Sequence, residues 1–415
     1  MIKIVHIAVF NAIISTISSR EELLVPKKII EELVDIDFHP PLIPIAATNI
    51  TIGDLHSNTI KLLFFLVRQG ICAISDKDYQ RLVEIYKTSP HFLTKELLNE
   101  FNTITEGIEV LDRKTLVRLI GDELADRGSN DYFILKILQK LHKERVNIEI
   151  LLSNHGAEFV EAYECFVERD NTFQASMMDT FTRSLKNLAL IIKRGLISAN
   201  EIIDIANTCY KPALKLISYS LDRTAPGITI YSHAGIGLQS IRLLANKFNV
   251  TYHDNTHEEL AQTIDNINQC FSTYVQNDHV HELYSYSQML AGFEGNLALN
   301  NETAVEFVLW NRSYLGLERP GKQKGYSLSF VHGHDSREET DGNIYNLDGK
   351  LGKSPRLSVG LYLILASEET PLKKPTESAT QAETAKFQFF PPDINPAKRP
   401  CTEIDKVTGR ITSTA

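Results

Sequence analysis

At 415 residues, 43% hydrophobic and 23% charged, the chain has the composition of a globular protein large enough for one domain with insertions or for two. Its formal net charge of −9 weighs against nonspecific nucleic-acid binding, which runs on lysine and arginine. A phosphate site here must make its positive charge locally, from metal ions or a few arginines.

Met1–Ser19 opens ambiguously. Lys3 and the apolar run Ile4–Ile17 resemble a poor signal peptide, but His6 and Asn11 interrupt the run and no Ala-x-Ala site follows. A strand or helix is the preferred reading, inside an N-terminal extension over residues 1–44 that precedes a catalytic domain over 45–366. Thr48–Ile52 is rich in β-branched side chains and is predicted as a strand running into Gly53-Asp54. Thr59–Arg68 follows as a helix with Leu62, Leu63, Phe65 and Leu66 inward and Gly70 as its stop. Residues 73–112 are polar and helical in pattern, a first insertion. Thr115–Ile120 is a second strand, ending at Gly121-Asp122. Ser129 or Asn130 can cap a helix over Asp131–Glu144, where Phe133, Ile134, Ile137, Leu138 and Leu141 have helical spacing. Asn147–Leu152 is a third strand, ending at Ser153-Asn154-His155. This is a βαβαβ pattern, in which function sits at the strand C-termini.

Residues 158–222 form a second, longer helical insertion broken at Gly195 and Pro212. Ile228–Tyr231 resumes strand character before His233. Val305–Trp310 and Ser327–Val331 are predicted as further strands, and Ile344–Asp348 with Leu357–Ala366 as closing antiparallel strands around an Asp348-Gly349 turn. Residues 367–415 are dominated by Pro, Thr, Ser, Lys and Glu and read as a disordered polar tail. Acidic residues among small ones over Thr370–Lys386 also suit a secretion signal. No run is apolar for long enough to span a bilayer, so no stable membrane insertion is expected.

The five cysteines, Cys72, Cys165, Cys209, Cys270 and Cys401, are scattered and never paired as CxxC. That excludes a zinc ribbon and suits a reducing compartment, the cytoplasm. Six residues after each stand Asp78, Asn171, Lys215, Gln276 and Val407, so the arginine that a cysteine-nucleophile phosphatase loop needs is absent.

The chemistry gathers at the strand ends: Gly53-Asp54-Leu55-His56, Gly121-Asp122-Glu123-Leu124-Ala125-Asp126-Arg127-Gly128 and Ser153-Asn154-His155, then His233 in Ser232-His233-Ala234 and Val331-His332-Gly333-His334. Asp and His supply ligands to divalent manganese, iron or zinc. Asp54 and His56, two apart in an extended loop, can turn to one ion, and Asp122 can bridge two. A pair of ions sharing a carboxylate clamps a phosphoryl group and acidifies a water. His253, Asp254 and His257, and likewise His279 and His281, have metal-like spacing but no third convergent ligand, so a solvated face is expected there.

These segments resemble the phosphoprotein phosphatase branch of the binuclear metallophosphatases, whose signature reads GDxHG, GDxxDRG, GNHE and two later histidines. The resemblance spans about Asn49–Ala366, discontinuously. Ser57 stands where Gly is usual, the spacer before Asp126 is one residue longer, and Ser153 and Gly156 replace the first Gly and the Glu of the third block. The resemblance implies an α/β fold, a calcineurin-like β-sandwich flanked by helices, with the two helical insertions near the cleft. It implies a first ion, most often manganese with iron or zinc as alternatives, on Asp54, His56 and Asp122, with His334 as a further ligand. Asp122, Asn154 and His233 would hold a second. His334 is preferred to its neighbour His332. His155 would protonate the leaving oxygen with Asp126 orienting it, and Arg127 and Arg312, the latter in Trp310-Asn311-Arg312, would bind phosphate.

The activity so implied is phosphomonoester hydrolysis on phosphoproteins, by direct attack of a metal-bound hydroxide without a phosphoenzyme. Phosphoserine and phosphothreonine follow the family majority. Phosphotyrosine or a dinucleoside polyphosphate on the same site, and a catalytically inactive phosphate-binding protein, are the alternatives. The departures and insertions point to a divergent bacterial member of the effector type, secreted into a host cell.

Overall fold

The computed structural model describes residues 27–169, 182–314, 316–335 and 340–370; the readings for Met1–Ser19 and for the tail beyond Thr370 lie outside the described residues. Its strands in chain order are β1 (Lys27–Asp35), β2 (Asn49–Ile52), β3 (Cys72–Ala73), β4 (Glu109–Val110), β5 (Leu116–Leu119), β6 (Ile148–Leu151), β7 (Leu214–Lys215), β8 (Ser218–Asp222), β9 (Gly227–Tyr231), β10 (Lys322–Gln323), β11 (Tyr326–His332), β12 (Ile344–Asn346), β13 (Val359–Ser367) and β14 (Glu369–Thr370). One sheet runs β1-β13-β2-β5-β6-β7; the other runs β10-β11-β9-β8-β14, with β12 against β11. The architecture is the expected α/β arrangement of two mixed sheets with helices around them.

The three strands read from β-branched runs, β2, β5 and β6, lie side by side and parallel, with Ile52 opposite Leu119 and Leu119 opposite Ile150. In the second sheet β9 and β11 are also parallel, with Tyr231 opposite Val331. Parallel strands in register end together, so each sheet delivers its polar loops to one edge. The helix Thr59–Arg68 starts at Asn58, whose side chain accepts from Ile60 N and Lys61 N. The helix Asp131–Lys143 starts at Asn130, which accepts from Tyr132 N. Asn at an N-cap satisfies amides that the first turn leaves open.

Ile120, Leu151, Tyr231, Val331, Leu347 and Leu365 form a buried cluster drawn from both sheets. Beside it Arg118 of β5 is wholly buried. It donates to Thr51 Oγ1 and Glu149 Oε1 in its own sheet (3.3 Å each) and to Ser218 Oγ (3.0 Å) and Tyr219 O (3.3 Å) in the other. Its guanidinium carbon lies 3.8 Å from the Tyr231 ring centroid. Cutting one partner out of a buried ion pair is destabilising, and Glu149 would keep Lys215 as its ion-pair partner, at 3.1 Å. Arg118→Ala should therefore cost about 3 kcal/mol of stability, measured as a fall in the urea midpoint at unchanged slope.

Several expectations are corrected. Val305–Trp310 is not a strand but part of the helix Ala304–Trp310. Every residue of that helix is buried, so its sequence shows neither the helical nor the strand period. Ile344–Asp348 and Leu357–Ala366 do not close a hairpin: β12 runs parallel to β11, while β13 crosses to the first sheet between β1 and β2. The stretch expected as an N-terminal extension contributes β1, the edge strand beside β13. Residues 73–112 contain the helices Asp76–Lys87 and Lys95–Glu106, and a ribbon of β3 against β4 closes their base. Among the described residues of 158–222, Asn154–Arg169, Arg183–Lys193 and Ala199–Ala213 carry helices, and the chain then enters the sheets as β7 and β8, because Leu214–Lys215 finds an open edge on β6. Among the described residues no helix is long and apolar enough to cross a membrane.

Candidate metal centre

Five loops meet where β2, β5, β6, β9 and β11 end, and their backbones are tied to one another. Leu55 N donates to Gly121 O (3.1 Å), Ser57 N to Asp122 O (2.6 Å) and Gly333 N to His233 O (2.9 Å). His334 N donates to Asp54 Oδ2 at 2.9 Å. His56, Ser57, Asp122, Ala125 and His334 all adopt positive φ. Such conformations are costly for residues with side chains and collect where function needs a fixed geometry. Gly333 leaves room that no other residue could: a Cβ there would lie 1.9 Å from Asp54 Oδ1.

Asp54, His56 and Asp122 bring ligand atoms within 4.8 Å of one another. On the other side of Asp122, His233 Nε2 lies 2.7 Å from Asn154 Oδ1, 3.1 Å from His334 Nδ1 and 3.5 Å from Asp122 Oδ1. Asp122 thus faces both groups, its Oδ2 lying 3.9 Å from His56 Nδ1. The side chain of His334 meets His233, of the second expected group, and its backbone N–H meets Asp54, of the first. His332, its rival, turns Nδ1 to Gly333 O and lies against the Tyr314 ring instead.

Four buried atoms here, Asp54 Oδ1, Asp122 Oδ1, His334 Nε2 and Asp348 Oδ1, have no hydrogen-bond partner. Buried polar atoms are rarely left so, and four in one spot mark a place built for something else. Burial, reinforced by Asp348 and Asp122, raises the Asp54 carboxyl well above its ordinary range. Burial lowers His233 to about 4 and His334 well below its usual value, with His233 and Arg312 adding to the latter. Neutral imidazoles beside crowded carboxylates form a donor set that fits divalent cations.

Asp126 lies beside this cluster and serves three neighbours. Its Oδ2 is 3.0 Å from His56 Nδ1; its Oδ1 is 2.7 Å from Arg127 Nε and 3.3 Å from His155 Nε2. Burial alone would raise its carboxyl, but His155, His56 and Arg127 outweigh burial and hold it well below the ordinary range. For His155 burial acts downward, and Asp126 and Asp122 overcome it, leaving the imidazole above its usual value. His155 Nδ1 faces Ala125 O at 3.0 Å. Arg127 is the outward-facing member, its side chain 27% exposed.

Residues 116–353, more than half of the chain, match the family described as WipA-like, phosphatase domain. The chain belongs to the WipA-like phosphatase family. It is also similar to the crystal structure of the phosphatase domain from the Legionella effector WipB, at 40% identity and a TM-score of 0.65, over 71% of this chain and 100% of that one. No curated protein matches the chain.

In this WipA-like phosphatase each departure from the wider signature has a physical use. Ser57 does not cap the helix after it; its hydroxyl accepts from Asp126 N at 2.7 Å. Ser153 Oγ accepts from both Asp122 N (2.9 Å) and Gly156 N (2.8 Å), tying two site loops together. Asp131, on the next helix, accepts Ala125 N with both oxygens (3.1 Å each). The second insertion reaches in as well: Ser184 N and Oγ donate to Asp126 O at 2.9 and 3.0 Å.

Asp348 was missed from sequence. Read as a turn residue, it places Oδ1 3.7 Å from His56 Nε2, which also faces Gly349 O at 2.9 Å. The one available signal was an acidic residue directly after a short β run, the same pattern as Asp54. The other metal-like spacings fall elsewhere. Asp254 takes Lys324 and Gln323, and His281 pairs with Glu164.

Proposed function

We propose that the chain is a metal-dependent phosphoprotein phosphatase acting on phosphoserine and phosphothreonine. The observation that carries this is Asp122, one carboxylate facing two separate groups of ligand-type side chains, with orphaned buried atoms on both sides. Asp54, His56 and Asp122 would hold one divalent ion, and Asp122, Asn154, His233 and His334 the other, manganese being the first candidate. Two such ions neutralise phosphoryl oxygens and acidify a water when bound.

The rest falls to the chain itself. Arg127 and Arg312 grip the phosphate, Arg127 from the outer rim and Arg312 from beside His334. A guanidinium fork suits two phosphate oxygens at once. His155 donates a proton to the leaving oxygen, its ring held by Ala125 O beside Nδ1 and by Asp126 Oδ1 beside Nε2. Asp126 keeps that imidazole charged and turned the right way.

The deciding experiment is a manganese-supplemented assay of the full chain against phosphoserine, phosphothreonine and phosphotyrosine peptides and dinucleoside polyphosphates. Turnover of the first two above the others is the expected result. Preference for phosphotyrosine or a dinucleotide keeps the site and overturns the substrate, and absence of turnover on every substrate overturns the hydrolase. The likeness to WipB also supports reading the chain as an effector. A translocation reporter fused to it should then enter the host cell, and its retention in the bacterium would refute that role.

A further inference from the structure

Glu123 lies in the spacer Glu123-Leu124-Ala125 that is one residue longer than the wider signature, and its side chain is wholly buried. Its Oε1 accepts the Tyr210 hydroxyl, and its Oε2 has no hydrogen-bond partner. Tyr210 is itself fully buried and closes the π-helical turn Ala206–Tyr210 of the second insertion. Such turns inside helices recur at functional positions.

A Cβ placed on Gly156 would meet Glu123 Oε1, Ser153 Oγ and Tyr210 Oη, each at 3.1 Å. The carboxylate of Glu123 therefore fills the space into which a side chain at 156 would project. Position 156 is where the resembled signature carries its Glu. The longer spacer and the missing Glu, two separate departures in the sequence, meet at one point in space.

That point lies under both catalytic loops. Ser153 Oγ holds Asp122 N and Gly156 N there. Two residues beyond Glu123, the Ala125 carbonyl faces His155 Nδ1. We propose that Glu123 is a positioning residue: it takes over, from the neighbouring loop, the place of the carboxylate missing at 156, and through Tyr210 it makes the helical insertion part of the support for His155. This rests on the role proposed above for His155.

The test is a double-mutant cycle in the full chain between Glu123→Ala and Gly156→Glu, read by thermal unfolding and by manganese-supplemented aryl-phosphate kinetics. Gly156→Glu alone should destabilise, because its side chain enters filled space. Glu123→Ala alone should lower kcat about 10-fold with KM and metal content little changed, the scale of losing a group that orients a working residue. Combined, the two should recover most of both losses. Tyr210→Phe should lower kcat in the parent and have no further effect in Glu123→Ala, and Glu123→Gln, which keeps an acceptor for Tyr210, should stay near the parent.

Losses that simply add in the double variant overturn the exchange of places. Should Gly156→Glu fail to fold, the double variant must still fold, and its failure overturns the exchange equally. A coupled unfolding cycle with unchanged kcat overturns the positioning role. Lack of manganese-dependent turnover in the parent defeats the hydrolase reading instead, and the unfolding cycle alone then decides the exchange.

Discussion

Asp122→Asn should lower aryl-phosphate turnover by more than about 100-fold, the upper figure for a residue that merely supports a ligand, and should release metal. Asp122 faces His56 at 3.9 Å through Oδ2 and His233 at 3.5 Å through Oδ1, so one side chain serves both groups. An amide of the same shape loses the negative charge that a shared position requires, since two dications repel across it. The fold should survive, because the backbone of Asp122, bonded to Ser153 Oγ and Ser57 N, is untouched. Elemental analysis beside a thermal melt checks this. A variant that melts normally, holds two ions and turns over near the parental rate would refute the shared ligand.

His155→Ala should cost about 100- to 10,000-fold in kcat, the range for losing a general acid. Its metal content should stay near the parent's. That second measurement is the sharper one, because Asp122, Asp126 and His155 also stand close enough to hold an ion. Loss of metal would make His155 a ligand; loss of rate with metal intact makes it an acid. The pH profile adds a sign. Burial acts downward on His155, yet Asp126 and Asp122 raise its pKa above the ordinary 6.5. A general acid works while protonated, so the rate should hold below that raised value and fall as pH climbs through it. Asp126→Asn should move the falling limb to lower pH; an unmoved limb would detach the carboxylate from the imidazole.

The site was largely legible because its information is local. Asp54, Asp122 and Asn154 each stand one small residue past a short β-branched or aliphatic run, so strand and candidate ligand are read in one window. What needed the fold was whatever crosses between windows. His332 and His334 stand two residues apart, and although the sequence favours His334, only the fold shows its imidazole beside His233 and that of His332 turned to Gly333 O. Asp348 has no histidine or second carboxylate beside it, and Asp-Gly is an ordinary turn signal. Ser57 and Ser153 looked like losses because their new partners lie 69 and 31 residues away. The helix Ala304–Trp310 escaped because a segment buried on all sides has no polar face to reveal its period.

The threading of β13 between β1 and β2 bears on how the protein is made. Lys27 pairs with Ser367 and Asp35 with Val359, so β1 must wait for a strand that lies far later in the chain. Until Val359–Ser367 leaves the ribosome, β2 presents a raw edge of unpaired amides and carbonyls, the kind that recruits stray strands. Contacts so distant along the chain make for slow closure. A nascent polypeptide can thus shape its β2-β5-β6 layer early while the sheet bearing Asp54 stays unsealed until β13 has been made.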